Sequence, residues 1–586
     1  MVLSWSPRKC SGSRFTMSDK NSRHKVINVV LYWHMHQPDY RDQRNGEYQQ
    51  PWTYLHTIKD YVDMVAHLEN NQQARAVVNF APILLEQIED YTSQLDNYLH
   101  HGKALRDPLL AALIDPVLYL DIHRRLKFIK SCLRANKLRL IERYPQFNIL
   151  ADMAQNAMKA PEKLAYYSDQ YFVDLLVWYH LAWLGETVRR SDARVKSLMN
   201  RCCNYTIHDR HLIIELIHEL IDGVIGRYRR LAESGRIELS LTPYAHPMLP
   251  LLMDFKCAEE SLPDTQLPLS PVYPGGEARC RWHMEQGLAV FEKHFGFLPA
   301  GCWPSEGGIS GECVELIAGM GIKWLASGET VLRNSLNSSH LEQPPCIHDA
   351  YNYRNREIAC FFRDDGLSDL IGFKYSNWHA DDAVANLVHH LETIAQTCTD
   401  ESEPVVSIIM DGENAWEHYP ENGYYFLSGL YEKLSSHEGI RLTTYSDYLQ
   451  RAKSDRPRLE QIVAGSWVYG NFSTWIGEKG KNRAWDMLVE AKNTYDKVVS
   501  SGTLDDESYR NATLQLATCE SSDWFWWLGE YNSAESVAMF DELFRLHLSN
   551  LYQLLEVESP DYLTRVFSVG TGAPAMGGAM RPGRQE

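Results

Sequence analysis

Seven short apolar runs punctuate the chain, each the right length for a buried strand and too short for a helix. The first, VINVVLYW over 26–33, is rich in β-branched residues and delivers the polar cluster His34, His36 and Gln37 at its end. The second, ARAVVNF over 74–80, follows a stretch where Tyr61, Met64, Val65 and Leu68 recur at helical spacing, which predicts a strand–helix–strand unit. The remaining runs are RIELSL (236–241), PAGCW (299–303), IKWLA (322–326), IACFF (358–362) and VVSIIM (405–410). Between about 83 and 233 the pattern turns to long amphipathic stretches such as YFVDLLVWYHLAWLGETV, so a helical insertion is predicted there. Helical spacing returns beyond 460, in KNRAWDMLVEAKNTYDKVV and ESVAMFDELFRLHLSNLYQLLEV.

Several runs stop at polar residues: His246 shortly after one, Glu306 after another, Arg363 and Asp364 after a third, and Asp411 directly after the last. Parallel barrels carry their catalytic groups at these C-terminal strand ends. An irregular α/β barrel of parallel strands is therefore favoured over an open doubly wound sheet, and no Gly-rich phosphate loop argues for a nucleotide. The expected organisation is a disordered N-terminus over 1–25, a catalytic barrel over 26–460 that includes the insertion, a C-terminal helical domain over 461–568, and a disordered Gly-, Ala- and Pro-rich tail over 569–586.

Charge and composition narrow the partners. With 76 acidic against 58 basic residues and a net charge of -18, the chain repels phosphate backbones and anionic headgroups, so nucleic acid and membranes are poor partners. No apolar stretch approaches the roughly 20 residues of a membrane span. The first residues lack an apolar signal region, so a cytoplasmic location is expected, and Met17 is an alternative start. Twelve cysteines without a C-x-x-C spacing give neither a zinc ribbon nor a compact disulfide framework. Sixteen Trp and 32 Tyr suit a protein that stacks aromatic faces on neutral, hydroxyl-rich ligands, although ordinary core packing accounts for most of them.

Two motifs concentrate the chemistry. In GCWPSEGGIS (301–310), Glu306 follows an apolar run and stands between Trp303–Pro304 and the permissive Gly307–Gly308. In MDGENAWEHYPENG (410–423), Asp411, Glu413 and Glu417 crowd beside Trp416, and repulsion among them would raise one pKa as an acid catalyst requires. Asp411 and Glu413 could instead cap a helix. His34 and His36 share one strand face at a metal-ligand spacing, yet no third His or Cys lies nearby to complete a zinc set, and a neutral His serves equally to hydrogen-bond a sugar hydroxyl. No metal or other cofactor is expected.

Read in order, these motifs resemble glycoside hydrolase family 57, most closely its α-amylase and amylopullulanase-type members. WHMHQPDY (33–40) with PWTYLHTIKDY (51–61), GRIELSLTPYAHPMLPLL (235–252), GCWPSEGGIS, MDGENAWEHY and AGSWVYGNFSTWIGEKGKNRAW (464–485) are similar to five ordered family signatures, and SSDWFWWLGE (521–530) adds an aromatic stretch. The resemblance implies a (β/α)7 barrel closed by a helical domain, with Glu306 as nucleophile and Asp411 as general acid/base. It further implies that His36, Glu238 and His246 line a sugar cleft whose walls include Trp303 and Trp475. Asp369, in FFRDDGLSDLIGF (361–373), is placed near the substrate; His34, Glu413, Trp416 and Trp524 complete the expected binding set. One departure is that YNSAESV follows SSDWFWWLGE in place of an acidic, histidine-containing tail.

The expected activity is retaining attack on an α-glucan polysaccharide or oligosaccharide, with the two carboxyl groups about 5 to 5.5 Å apart. Water as acceptor gives hydrolysis, and a sugar hydroxyl gives transfer by a 4-α-glucanotransferase or branching enzyme. The rivals are a metal-dependent carbohydrate deacetylase using His34 and His36, and an inactive glucan-binding protein.

Overall fold

A computed structural model describes residues 26–115, 121–338, 346–397, 404–452, 456–573 and 579–584; the N-terminus expected to be disordered lies outside them. All seven predicted runs are strands: β1 (Ile27–Met35), β2 (Ala76–Phe80), β3 (Ile237–Leu241), β4 (Gly301–Cys302), β5 (Trp324–Ser327), β6 (Ala359–Phe362) and β7 (Val405–Asp411). They pair in parallel in the order β7-β1-β2-β3-β4-β5-β6. The ring closes through a narrow seam: an Arg363–Ser407 bridge, the Asp364 N–H donating to the Ser407 carbonyl at 2.8 Å, and Arg363 Nε donating to the Ile409 carbonyl at 2.9 Å. Three short strands extend the sheet: Ile440–Leu442 pairs in parallel with β1, Tyr351–Tyr353 pairs antiparallel to β6, and Arg458–Leu459 pairs with Tyr351–Tyr353, so the protein is a mixed α/β fold built on an irregular barrel of seven parallel strands with additions at its edges and a large helical complement.

The two-residue side-chain period of a strand decides what faces the barrel axis. Along β1, Val29, Leu31, Trp33 and Met35 pack outward, while Val30 and Tyr32 point inward. The same parity carries His34 inward at the top. Along β7, Val405 and Ile409 face the interior and Val406, Ile408 and Met410 face outward, so Asp411 also ends on the inner face. Tyr32, Trp303, Trp324, Phe361 and Tyr445 fill the interior as one aromatic cluster. Backbone approaches closely here: a Cβ on Gly301 would lie 1.8 Å from the Trp324 indole, which only glycine avoids.

Helices from Pro82–His101 to Ile207–Glu233 intervene between β2 and β3; the last starts at a reciprocal Thr206–Asp209 cap. Beyond β7, helices Lys479–Ser501, Asp506–Cys519, Ser522–Trp527 and Ala534–Leu554 pack on the rim. Glu520 anchors them. Its buried carboxylate accepts from Arg279 at 2.7 and 2.9 Å, pairs with His283 Nε2 at 2.7 Å, and is held at a pKa of about 2, because burial is outweighed by the Arg279 charge and the His283 contact. Among the described residues, no helix is long and apolar enough to cross a membrane.

Candidate active site

The C-terminal ends of β1, β3, β4, β6 and β7 open into one cleft of about 300 Å³ that His34, His36, His246, Glu306, Asp411 and Glu413 all line. Asp411 is the last residue of β7 and lies in register with His34 of β1, which in turn lies in register with Asn79 of β2. A polar layer floors the cleft. Asn79 Oδ1 accepts from Thr242 at 2.9 Å and meets His34 Nδ1 at 2.6 Å, and Asn79 Nδ2 donates to Ser240 at 3.1 Å. Burial together with the neighbouring His36 lowers the His34 pKa to about 3, so this ring is neutral.

Glu306 sits in a single tight turn after β4 with φ 60° and ψ 23°, a left-handed conformation unusual for a side chain of this size. Such a backbone costs on the order of 1–3 kcal/mol and persists where surroundings hold it. Two contacts from the segment beyond the barrel do so: the Trp467 N–H donates to the Glu306 carbonyl at 3.0 Å, and Trp467 Nε1 donates to Oε2 at 3.0 Å. The Ser522 hydroxyl donates to Oε1 at 3.4 Å and meets His246 Nδ1 at 2.9 Å, linking His246 to Glu306 through one hydroxyl. His246 is itself left-handed, at φ 58°.

Burial raises the pKa of three carboxyls that line the cleft, Glu306, Asp411 and Glu413. Glu306 is pushed well above the usual range, first by burial and then by the charge of Asp411; Asp411 is pushed up to about 6 by burial, against the Asn414 amide, His36 and Arg363, which pull it down. Glu413 also rises by burial and by the charge of Asp411. The site thus holds carboxyls that can carry a proton near neutral pH. Donor placement separates the pair: among the described residues, the Glu306 carboxyl accepts from Trp467 and Ser522, whereas the Asp411 carboxyl accepts from Asn414 alone, at 3.1 Å. These donors pull the Glu306 pKa down and offset part of the rise that burial and the charges of Asp411 and Asp523 impose. Among the described residues, His36 Nδ1, His246 Nε2 and Glu413 Oε2 are buried without hydrogen-bond partners, a state that polar ligand groups would relieve.

Six expected residues lie elsewhere. Glu238 has inward parity but stands near the start of β3, at the opposite end of the barrel; Trp324 Nε1 donates to it at 2.7 Å and the Ser446 N–H at 3.0 Å. Trp303 belongs to the barrel's aromatic filling, beneath the cleft. Asp369 spends one oxygen on Arg363 at 2.7 Å and the other on the Gly583 N–H at 2.9 Å. Trp416 packs edge-on against Trp33. Trp475 and Trp524 are core residues of the helical part; Trp524 donates to the Thr518 carbonyl at 2.8 Å and packs tilted against Phe544, with ring centroids 6.2 Å apart.

Other residues from the same motifs take their places. Asp523 lies against His36 Nε2 at 2.9 Å, Trp467 touches Glu306, and Trp526 and Trp527 line the cleft, all within stretches whose other tryptophans drew attention in the sequence. Trp52, His56, Arg134 and Trp183 form a further wall from the helices preceding β3, with Arg134 over the Trp52 ring at 4.6 Å. Only the first signature hinted at it. Residues 579–581, within the stretch expected to be a disordered tail, line the cleft as well.

His36, His246 and Asp523 offer ligand atoms within 4.8 Å of one another and could be considered for a metal. Their geometry is poor for one. The His36 and His246 rings stack at 3.9 Å and 21°, so their ring nitrogens hold lone pairs in two nearly parallel planes and one ion cannot lie close to both planes, and His36 Nε2 is already engaged by Asp523.

Comparison with solved structures places this fold beside a branching enzyme from Thermococcus kodakaraensis (14% identity, TM-score 0.57, 90% of each chain covered) and the α-amylase AmyC from Thermotoga maritima (14%, 0.55, 91% of this chain and 93% of that one). A 4-α-glucanotransferase from Thermococcus litoralis aligns over 90% of this chain and 60% of its own at 14% identity and a TM-score of 0.50. These likenesses concern the fold. The profile of glycosyl hydrolase family 57 matches residues 30–460, most of the chain and every strand of the barrel but the first three residues of β1, so the protein belongs to glycosyl hydrolase family 57.

Proposed function

We propose that the protein is a retaining enzyme acting on α-glucans, with Glu306 as nucleophile and Asp411 as general acid/base. The observation that carries this reading is that two carboxyls with raised pKa, from different strand ends, face one cleft, with hydrogen-bond donors concentrated on the one that must be anionic. Glu306 attacks the anomeric carbon while protonated Asp411 gives its proton to the leaving oxygen. The glycosyl ester then removes the Glu306 charge, and Asp411, now ionised, takes a proton from the incoming hydroxyl. Neutral His34 and His246 and the unpartnered Glu413 oxygen supply hydrogen-bonding groups for sugar hydroxyls.

Hydrolysis of α-1,4 and α-1,6 linkages is the leading activity. Transfer to a second glucan is the alternative, and the aromatic wall of Trp52, Trp183, Trp526 and Trp527 favours considering it, since such faces hold an acceptor sugar while displacing water. Incubation with maltooligosaccharides, amylopectin and pullulan separates the two. New reducing ends mean hydrolysis, and redistributed chain lengths at constant reducing power mean transfer. No turnover of any of them by the wild type, or near-normal turnover by Glu306→Gln, refutes the reading.

A further inference from the structure

The segment 579–584 reaches the candidate cleft with its first three residues. Ala579, Met580 and Arg581 line the cleft shared by Glu306 and Asp411. The segment is fastened at several points. The Gly583 N–H donates to Asp369 Oδ2 at 2.9 Å, its carbonyl accepts from the Tyr469 N–H at 2.9 Å, and Arg584 pairs with the buried Glu329. The backbone fits so tightly that a Cβ on Gly583 would lie 2.5 Å from the Asp365 carboxyl carbon and 2.8 Å from Arg363 Nη1. Arg363 is the residue that closes the barrel seam, and its guanidinium lies 5.5 Å over the ring of Trp467, the donor to Glu306.

The contact that decides the role is aromatic. The Arg581 guanidinium covers the Tyr531 ring at 3.4 Å and reaches the Trp526 ring at 5.6 Å. Trp526 is itself a wall of the cleft, and an aromatic face beside a sugar cleft is a stacking platform for a further glucosyl ring. With Arg581 in place that platform is occupied, and the remaining 300 Å³ is at the small end for a ligand site. We propose that residues 579–584 form a fixed end wall of the catalytic cleft, which limits the length of linear α-glucan that can lie across Glu306 and Asp411. This inference rests on the glucan-acting reading above.

The test compares the wild type with a deletion of residues 579–586, with Gly583→Val, which evicts the segment at full length, and with Arg581→Ala, which uncovers the platform without disturbing the Gly583 anchor. The quantity read is the ratio of kcat/KM on linear maltoheptaose to kcat/KM on maltotriose, together with product lengths. Opening one more aromatic contact should raise that ratio about fivefold to tenfold and lengthen the products. An equal change on both substrates in the folded variants, as a simple plug would give, or an unchanged ratio in Arg581→Ala, overturns the inference while leaving the catalytic assignment standing. A wild type inactive on every glucan overturns both.

Discussion

Replacing Asp411 by Asn should make the protein more stable and nearly inactive at once. The Asp411 carboxyl is pushed up from its ordinary 3.8 to about 6 by burial at the end of β7. Its ionisation at neutral pH therefore costs the fold about 3 kcal/mol, at about 1.4 kcal/mol for each tenfold displacement of the proton equilibrium. An acid whose folded pKa is raised carries no such cost below its unfolded pKa; stability is lost as the pH climbs from about 4 to about 6, and the full penalty stands above that. The amide is uncharged and nearly isosteric, and its oxygen can still accept from Asn414. Thermal melts of wild type and Asp411→Asn should coincide at pH 4 and separate by about 2 °C in favour of the variant at pH 7.5, since about 3 kcal/mol is spread over the unfolding entropy of a chain of 586 residues. Turnover of glucan should fall about a hundred- to ten-thousand-fold, and far less for an aryl maltooligoside whose acidic phenol leaves without protonation. Equal melting temperatures at pH 7.5 would show that burial does not penalise the carboxylate, and glucan turnover within a few-fold of wild type would show that Asp411 is not the proton donor.

Trp467→Phe removes the N–H that serves Glu306 Oε2; kcat/KM should drop about tenfold to a hundredfold, and the acidic limb of its pH profile should move upward because the carboxylate loses a stabilising donor. Glu520→Ala strands the buried Arg279 and His283, and chemical denaturation should register a loss of about 3–5 kcal/mol at neutral pH; in the wild type the stabilisation from Glu520 is complete above its ordinary 4.5 and disappears as the pH falls toward 2. Prolonged treatment with a chelator should leave glucan turnover unchanged, given the parallel His36 and His246 rings; activity lost to the chelator and restored by zinc would favour a metal-dependent mechanism instead.

Much of the barrel was legible in the chain because strands announce themselves locally. Each apolar run became a strand, and within β1 and β7 the alternation alone sets His34 and Asp411 on the inner face at the C-terminal end. The same rule explains Glu238. Its parity is right, but its position near the start of β3 puts it at the wrong end, where Trp324 and Ser446 consume its carboxylate. Distance along the strand was as decisive as the face, and reading the motif without that distance placed it in the cleft.

The tryptophan-rich stretches were opaque for a different reason. In SSDWFWWLGE, Trp524 turns into the core while Asp523, Trp526 and Trp527 meet the cleft, and near Trp475 it is Trp467 that reaches Glu306. A helix or loop of aromatics has an apolar side in every direction, so its composition cannot say which ring faces the ligand; the way the segment docks on the rim says it. Local periodicity and motif order were enough for the seven parallel strands, the parity of the inner face and the two carboxyls at its upper edge; the short strands Tyr351–Tyr353, Ile440–Leu442 and Arg458–Leu459 carry too few residues to show a period of their own. Tertiary structure alone decided that Trp467 and Ser522 serve Glu306, that Asp523 serves His36, and that residues 579–584 wall the cleft. Those contacts join positions far apart in the chain, and they exist only once the helices have settled on the barrel.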